Sequence, residues 1–225
     1  MTQPGDKPLS NTQRAVCALR QMIFDGTLAA GSDHLESELA DRLGMSRTPV
    51  REAALMLEGQ GLLELRPRKG VRILPVSPAD MREIYDILTE LESLAARRAA
   101  ERRPDDAELA RLAQALSDMD TALDRNDLEA WAEADDRFHL ELVRLGGNAR
   151  LSAMVMLMSD QVRRARAVTL FMRPNPVQSN ADHRRVYQAI RAGHPCLAGD
   201  IHHQHRRTAG DMMVALLERY RLNHI

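Results

Sequence analysis

Aromatic residues make up only 3% of this 225-residue chain, with a single Trp, three Tyr and three Phe. Together with an abundance of Ala, Leu, Arg, Glu and Met, that scarcity leaves little material for strands and predicts helices nearly throughout. Cysteine is almost missing. Cys17 and Cys196 stand far apart without a partner motif, which excludes a disulfide framework or a thiolate zinc site, and both read as packing residues. No stretch approaches the ~18 uninterrupted apolar residues of a membrane span. The opening Met1–Ser10 also lacks the apolar centre of a signal peptide, so a cytoplasmic protein with no membrane partner is expected. Excess charge of one sign is absent too: 31 Lys+Arg face 32 Asp+Glu, and residues 1–75 alone hold 10 against 9. Any nucleic-acid contact must therefore come from local clustering of basic groups rather than from a basic domain.

The 44% of hydrophobic residues is enough for packed cores, and the length suits one small domain plus one of ordinary size. Val16, Leu19 and Ile23 recur at helical spacing and predict a helix from Ser10 to Phe24, closed by Asp25 and Gly26. Leu35, Leu39 and Leu43 form a second stripe that Gly44 stops. Ser46 can cap a third helix from Arg47 to Glu58, with Pro49 tolerated in its first turn. Leu62–Leu65 and Val71–Leu74 flank Arg66-Pro67-Arg68-Lys69-Gly70, which predicts a small β-hairpin with a basic tip, the one strand-like region. Pro75-Val76-Ser77-Pro78 interrupts the pattern, giving a first domain over 9–75, a linker over 76–78 and an all-helical domain over 79–222. The latter's helices are predicted at 78–102, 105–125, 127–145, 149–171, 177–192 and 195–221.

With Val50, Ala54 and Leu57 turned inward, Arg47, Thr48 and Arg51 are left outside at the start of the third helix. A recognition helix reads DNA in this way: its first turns meet base edges, where Arg bonds bidentately to guanine, while hydroxyls and the helix N-terminus take phosphates. The pattern alone also fits an amphipathic helix with a solvated polar face. Arg66, Arg68 and Lys69 on the neighbouring hairpin favour the DNA reading. Leu39-Ala40 followed by Leu43-Gly44-Met45-Ser46-Arg47-Thr48-Pro49-Val50-Arg51-Glu52-Ala53, with Gly61-Leu62 and Gly70, resembles the signature of GntR-type transcriptional regulators over Leu9–Leu74. The resemblance implies a winged helix-turn-helix bound to double-stranded operator DNA, with Ser46, Arg47, Thr48, Arg51 and Gly70 as contacts. Ser37 departs from it, standing where many relatives carry Arg.

In the second domain, Leu128, Trp131, Asp135, Phe138, His139 and Leu142 share one stripe, placing Asp135 and His139 a turn apart. His183 shares a stripe with Val186, Tyr187 and Ile190, and His205 shares one with Ala198, Ile201, Ala209, Met212 and Leu216. Singly, each His also fits a satisfied core or half-exposed residue. An unpaired carboxylate among apolar helices is costly, however, and a metal would satisfy all four groups at once. Three imidazoles and a carboxylate suit a divalent transition metal, zinc first and nickel or manganese next, with coordination positions left for a ligand's oxygens. The run Asp135-x-x-Phe138-His139, then Asn148, His183, Ala189-Ile190, Gly193, Ala198 and His205, resembles the FCD sensor domain of the FadR-type branch of the GntR family, over Ala79–Leu222. The resemblance implies an all-helical antiparallel bundle, a homodimer, and a small carboxylate held next to the metal.

Two positions depart from that pattern. Leu88 stands four residues before Glu92, where many members have a ligand-facing Arg, and His194 replaces the common Asp after Gly193. Arg163, Arg164 and Arg166 read as a solvated basic face that could supply a substitute charge, with Arg164 the candidate effector contact. His202 and His203 read as surface residues, His202 with a supporting role. The expected protein is thus a ligand-responsive regulator, with repression relieved by a small metabolite. The rivals are a metal-dependent hydrolase using the same Asp/His cluster, for which no separate general base stands out, and a purely structural cluster.

Overall fold

A computed structural model of the protein describes residues 9–222. The opening segment in which a signal peptide was sought lies mostly outside them. Two compact units divide between Val76 and Ser77.

In the first unit, α1 (Asn11–Phe24) starts with a Ser10/Gln13 capping box. The short α2 (Glu36–Leu43) ends at Gly44, whose φ of +60° is the left-handed conformation that closes helices. α3 spans Arg47–Glu58. Strands β2 (Leu63–Arg66) and β3 (Gly70–Ile73) pair antiparallel, Leu63 opposite Ile73 and Arg66 opposite Gly70. One element departs from the sequence reading: Asp33–His34 forms a third strand, β1, on the other side of β3, with Asp33 opposite Arg72. Two polar residues carry no alternation and no strand propensity, so only tertiary pairing makes this strand. Leu19, Leu39, Val50, Leu57, Leu62, Val71 and Ile73 seal one core under the three helices and the sheet.

The second unit consists, among the described residues, of six α-helices: α4 (Pro78–Arg102), α5 (Asp106–Asp124), α6 (Leu128–Leu145), α7 (Ala149–Thr169), α8 (Val177–Arg191) and α9 (Pro195–Arg219). A 3-10 turn at Leu170–Met172 follows α7, where a continuous helix to 171 was expected; Pro174 two residues on cannot sustain the ladder. Ala96, Ala99, Leu112, Met119, Trp131, Phe138, Val186 and Ile190 belong to one core. Gly199 and Gly210 on α9 leave room for Arg97 and Tyr85 of α4, so that α9 lies close along α4, the most extensive helix pairing among the described residues. Cys17 and Cys196 are both exposed, correcting their reading as packing residues. Each sits on the solvent side of its helix, outside the core.

Candidate functional site

α6 turns Asp135 and His139 inward one above the other, and α8 and α9 bring His183 and His205 to the same place. All four are buried. Ring nitrogens of His139, His183 and His205 lie within 4.8 Å of one another. His183 Nε2 faces His205 Nε2 at 3.0 Å, while Asp135 reaches His183 Nε2 at 3.6 Å and His139 Nε2 at 3.8 Å. Burial, strengthened by the neighbouring rings, pushes His183 well below the ordinary histidine range, and burial also lowers His205. Both imidazoles are therefore uncharged at neutral pH, which leaves each a lone pair.

A carboxylate stands behind the cluster. Glu92 on α4 lies 2.8 Å from His139 Nδ1 and 3.0 Å from His202 Nε2, with Arg206 Nη2 at 3.4 Å from its other oxygen. Burial opposes its ionisation, but Arg206 and His139 outweigh that and hold Glu92 well below the usual carboxylate range. An ionised Glu92 accepts from His139 Nδ1–H and leaves Nε2 turned towards Asp135 and His183, the orientation typical of metal-ligating histidines. His183 Nδ1 is buried without a partner. Three imidazoles, a carboxylate and a second carboxylate behind one ring form a donor set that fits a divalent transition metal.

The sequence reading put His202 at the surface, yet it is 0% exposed. Burial pushes it down to about 3 despite Glu92. Its spacing from Ala198 and His205 on α9 carried the signal. His203 is half-exposed and pairs with Glu90 at 3.1 Å. Glu92 and Arg206 also went unrecognised, although Glu92 continues the stripe of Leu88 and Ala96.

A cavity of about 140 Å³ opens beside the cluster, room for about ten waters. His139, His205 and Asp135 line it together with Leu128, Trp131, Leu170, Met212 and three arginines, Arg166, Arg173 and Arg206. A second, smaller cavity of about 40 Å³ shares His139, Arg166 and Arg206 with the first, and Leu88 lines this one. The arginines of α7 do not make the solvated face expected of them. Of Arg163, Arg164 and Arg166, only Arg163 is exposed as expected, pairing with Asp136 at 3.0 Å, whereas Arg166 is buried and bonds Asp135 and Asp136 through Nη1. Arg164 is buried too and lines neither cavity.

In the first unit, Ser46, Arg47, Thr48 and Arg51 are exposed at the start of α3. Ser46 has the extended backbone of an N-cap, but its hydroxyl makes no capping bond. The partial positive charge of the helix end is thus left facing outward. A groove lined by Glu36, Ser37, Arg47, Arg51, Arg66 and Arg68 joins this end to the hairpin. Arg68 and Lys69 project from the tip, whereas Arg66 is drawn back onto Asp33 at 3.6 Å and Glu64 at 3.4 Å. Gly70 has a backbone reason of its own: at φ +85°, a Cβ there would stand 2.2 Å from the His34 carbonyl oxygen.

Residues 11–73 match the model of bacterial regulatory proteins of the gntR family, and residues 83–208 match the FCD domain. An HTH-type transcriptional regulator from the TAR-I ttuE-ttuC' intergenic region of Agrobacterium vitis is 46% identical over 128 residues, 56% of this chain and 75% of that protein. The probable D-xylose utilization operon transcriptional repressor of Paenarthrobacter nicotinovorans is 33% identical over 177 residues, 78% of this chain and 76% of that protein. Among solved structures, E. coli McbR/YncC superposes with a TM-score of 0.76 over 94% of this chain and 99% of its own, at 22% identity, a likeness of fold.

Proposed function

Because the chain belongs to the GntR family of bacterial regulatory proteins and carries an FCD domain, we propose that it is a homodimeric repressor released from its operator by a small, carboxylate-bearing metabolite. It is a DNA-binding transcriptional regulator and not an enzyme, as its relatives are, and nothing supports the hydrolase reading. Among the described residues no helix is long and apolar enough to cross a membrane.

The observation that carries the sensing half of the proposal is the convergence of His139, His183, His205 and Asp135, three of which, His139, His205 and Asp135, line a cavity that three arginines also line. Those four residues would hold the metal, zinc by preference, which when bound supplies positive charge and free positions for ligand oxygens. Glu92 fixes the ring of His139, and Leu128, Trp131, Leu170 and Met212 exclude water from the ligand's body. Support for a dimer comes from apolar side chains left outside: Ile87 and Leu94 on one stripe of α4, and Met154, Leu157 and Val168 on one stripe of α7, all at least 41% exposed. In the reading head, Ser46, Arg47, Thr48 and Arg51 meet bases and phosphates, with Arg66, Arg68, Lys69 and the Gly70 backbone along the flanking strand. A change in the bound metabolite alters how two such heads are spaced, and hence operator affinity.

An electrophoretic shift on the promoter beside its own gene tests the DNA half. Two bidentate arginines are worth about 2–6 kcal/mol, so Arg47→Ala with Arg51→Ala should weaken binding at least 30-fold. Equal binding by wild type and double variant sinks the assignment.

A further inference from the structure

The charged side chains around the cavity beside the histidines are matched except one, the half-buried Arg173. Asp135 and Asp136 share Arg166, and Glu92 has Arg206. Arg173, just beyond the 3-10 turn, lines the same cavity and makes no ion pair among the described residues. Its Nε and Nη2 donate to the Thr169 hydroxyl at 3.3 and 3.0 Å, and Nη2 also meets the Met213 sulfur at 3.5 Å, a weak acceptor. Nη1 makes no hydrogen bond within the described protein. Burial accordingly pushes the Arg173 guanidinium down, whereas in Arg166 two aspartates overcome burial and raise it.

The group is nonetheless held in place. Thr169 sends its own proton to the Ala165 carbonyl at 2.8 Å, so its oxygen lone pairs stay turned towards Arg173. A fixed, partly buried guanidinium without a counter-charge is costly to the protein alone and is what a planar anion complements, through two parallel N–H bonds.

We infer that Arg173 is the effector's acid anchor, so that this cavity selects a small organic acid held at two ends, its carboxylate on Arg173 and a second oxygen group on the His139/His205 wall. The assignment rests on the cavity being the effector site. It names the ligand class: an acid with two oxygen-bearing ends and an apolar middle that packs on Trp131 and Leu170, in preference to a monocarboxylate of equal length.

Zinc-loaded full-length protein is titrated calorimetrically with succinate, glutarate and adipate, and with butyrate, valerate and hexanoate as their one-ended counterparts. At least one diacid should bind wild type more tightly than its counterpart. A charged hydrogen bond is worth about 1.5–3 kcal/mol, so Arg173→Met should weaken that diacid about 10- to 100-fold, with Arg173→Lys recovering part. Zinc affinity should not move, and the thermal midpoint of Arg173→Met should be unchanged or higher, since an unpaired, half-buried cation has been replaced by an apolar chain of similar volume. A residue with only a structural role would lower that midpoint. Diacid binding that survives in Arg173→Met within twofold overturns the anchor and leaves the cavity as the effector site. Wild type that binds none of the six acids overturns both.

Discussion

Acidifying the metal-free protein should destabilise its sensor unit before the carboxylates titrate, with the buried histidines setting the size of the loss. Burial, reinforced by neighbouring rings, pushes His183 well below its ordinary 6.5 and His202 down to about 3. Because each folded value lies below the unfolded one, the unfolded chain binds more protons between the two. Stability is thus complete above pH 6.5 and is lost as the pH falls towards the folded value. A group lowered to about 3 costs about 1.4 kcal/mol per pH unit, so at pH 5 His202 alone removes about 2 kcal/mol from a total of roughly 5–15 kcal/mol. His183 adds to the loss. His205 acts in the same direction. Glu92 and Asp135 are depressed as well, their cations outweighing burial, but what they contribute is lost only below their unfolded values of 4.5 and 3.8, a separate window. Trp131, the single Trp, is buried in α6 and bonds Asn180, so its fluorescence reports this unit alone. Urea midpoints of chelator-treated protein, at one fixed concentration, should fall steeply below pH 6.5. His202→Gln keeps an N–H for Glu92 but cannot titrate, and should recover about 2 kcal/mol of the loss at pH 5. A wild-type midpoint that stays flat from about pH 7.5 to 5, or a variant that follows the wild-type slope, refutes the reasoning.

Gly70→Ala places a methyl group against the His34 carbonyl in a left-handed backbone, at a cost of about 1–2 kcal/mol for the conformation alone. Faster amide exchange in β1 and β3 should accompany weaker operator binding, and unchanged exchange would contradict the packing. His139→Ala should abolish tight zinc binding, and Glu92→Gln should weaken it about 10- to 100-fold, read by competition with a chromogenic chelator. Equal zinc affinity in all three proteins leaves the cluster a structural one. Leu157→Glu puts a charge on the apolar stripe of α7, where Leu157 is 47% exposed. Sedimentation velocity should show a monomer, and an unaltered dimer removes that stripe from the interface.

Helical periodicity made most of the architecture legible. Its limits at α3 and α4 coincide with Ser46 and Ser77, because caps and prolines write helix ends into local sequence. β1 was illegible, since nothing in Asp33–His34 requires a strand until β3 offers its edge. At the sensor site, Asp135, His139, His183 and His205 were readable as inward polar groups on apolar stripes. Arg166 and Arg173 were not: their burial depends on aspartates from another helix and on a turn broken by proline, neither of which periodicity along one helix can register. His202 differs again: it lies on the inner stripe of α9 but outside the ligand pattern that the family resemblance implies.

The close approach of Gly70 to His34 ties the tip of the hairpin to the strand that leads directly into α2. With β3 paired on both sides, to β1 and to β2, the hairpin should not adjust independently of α2 to an unfamiliar duplex. The residues before Ser77 are therefore interchangeable as a block: grafting them from another regulator onto this sensor should transplant the choice of operator whole, whereas exchanging the tip alone should yield a head that reads neither sequence well.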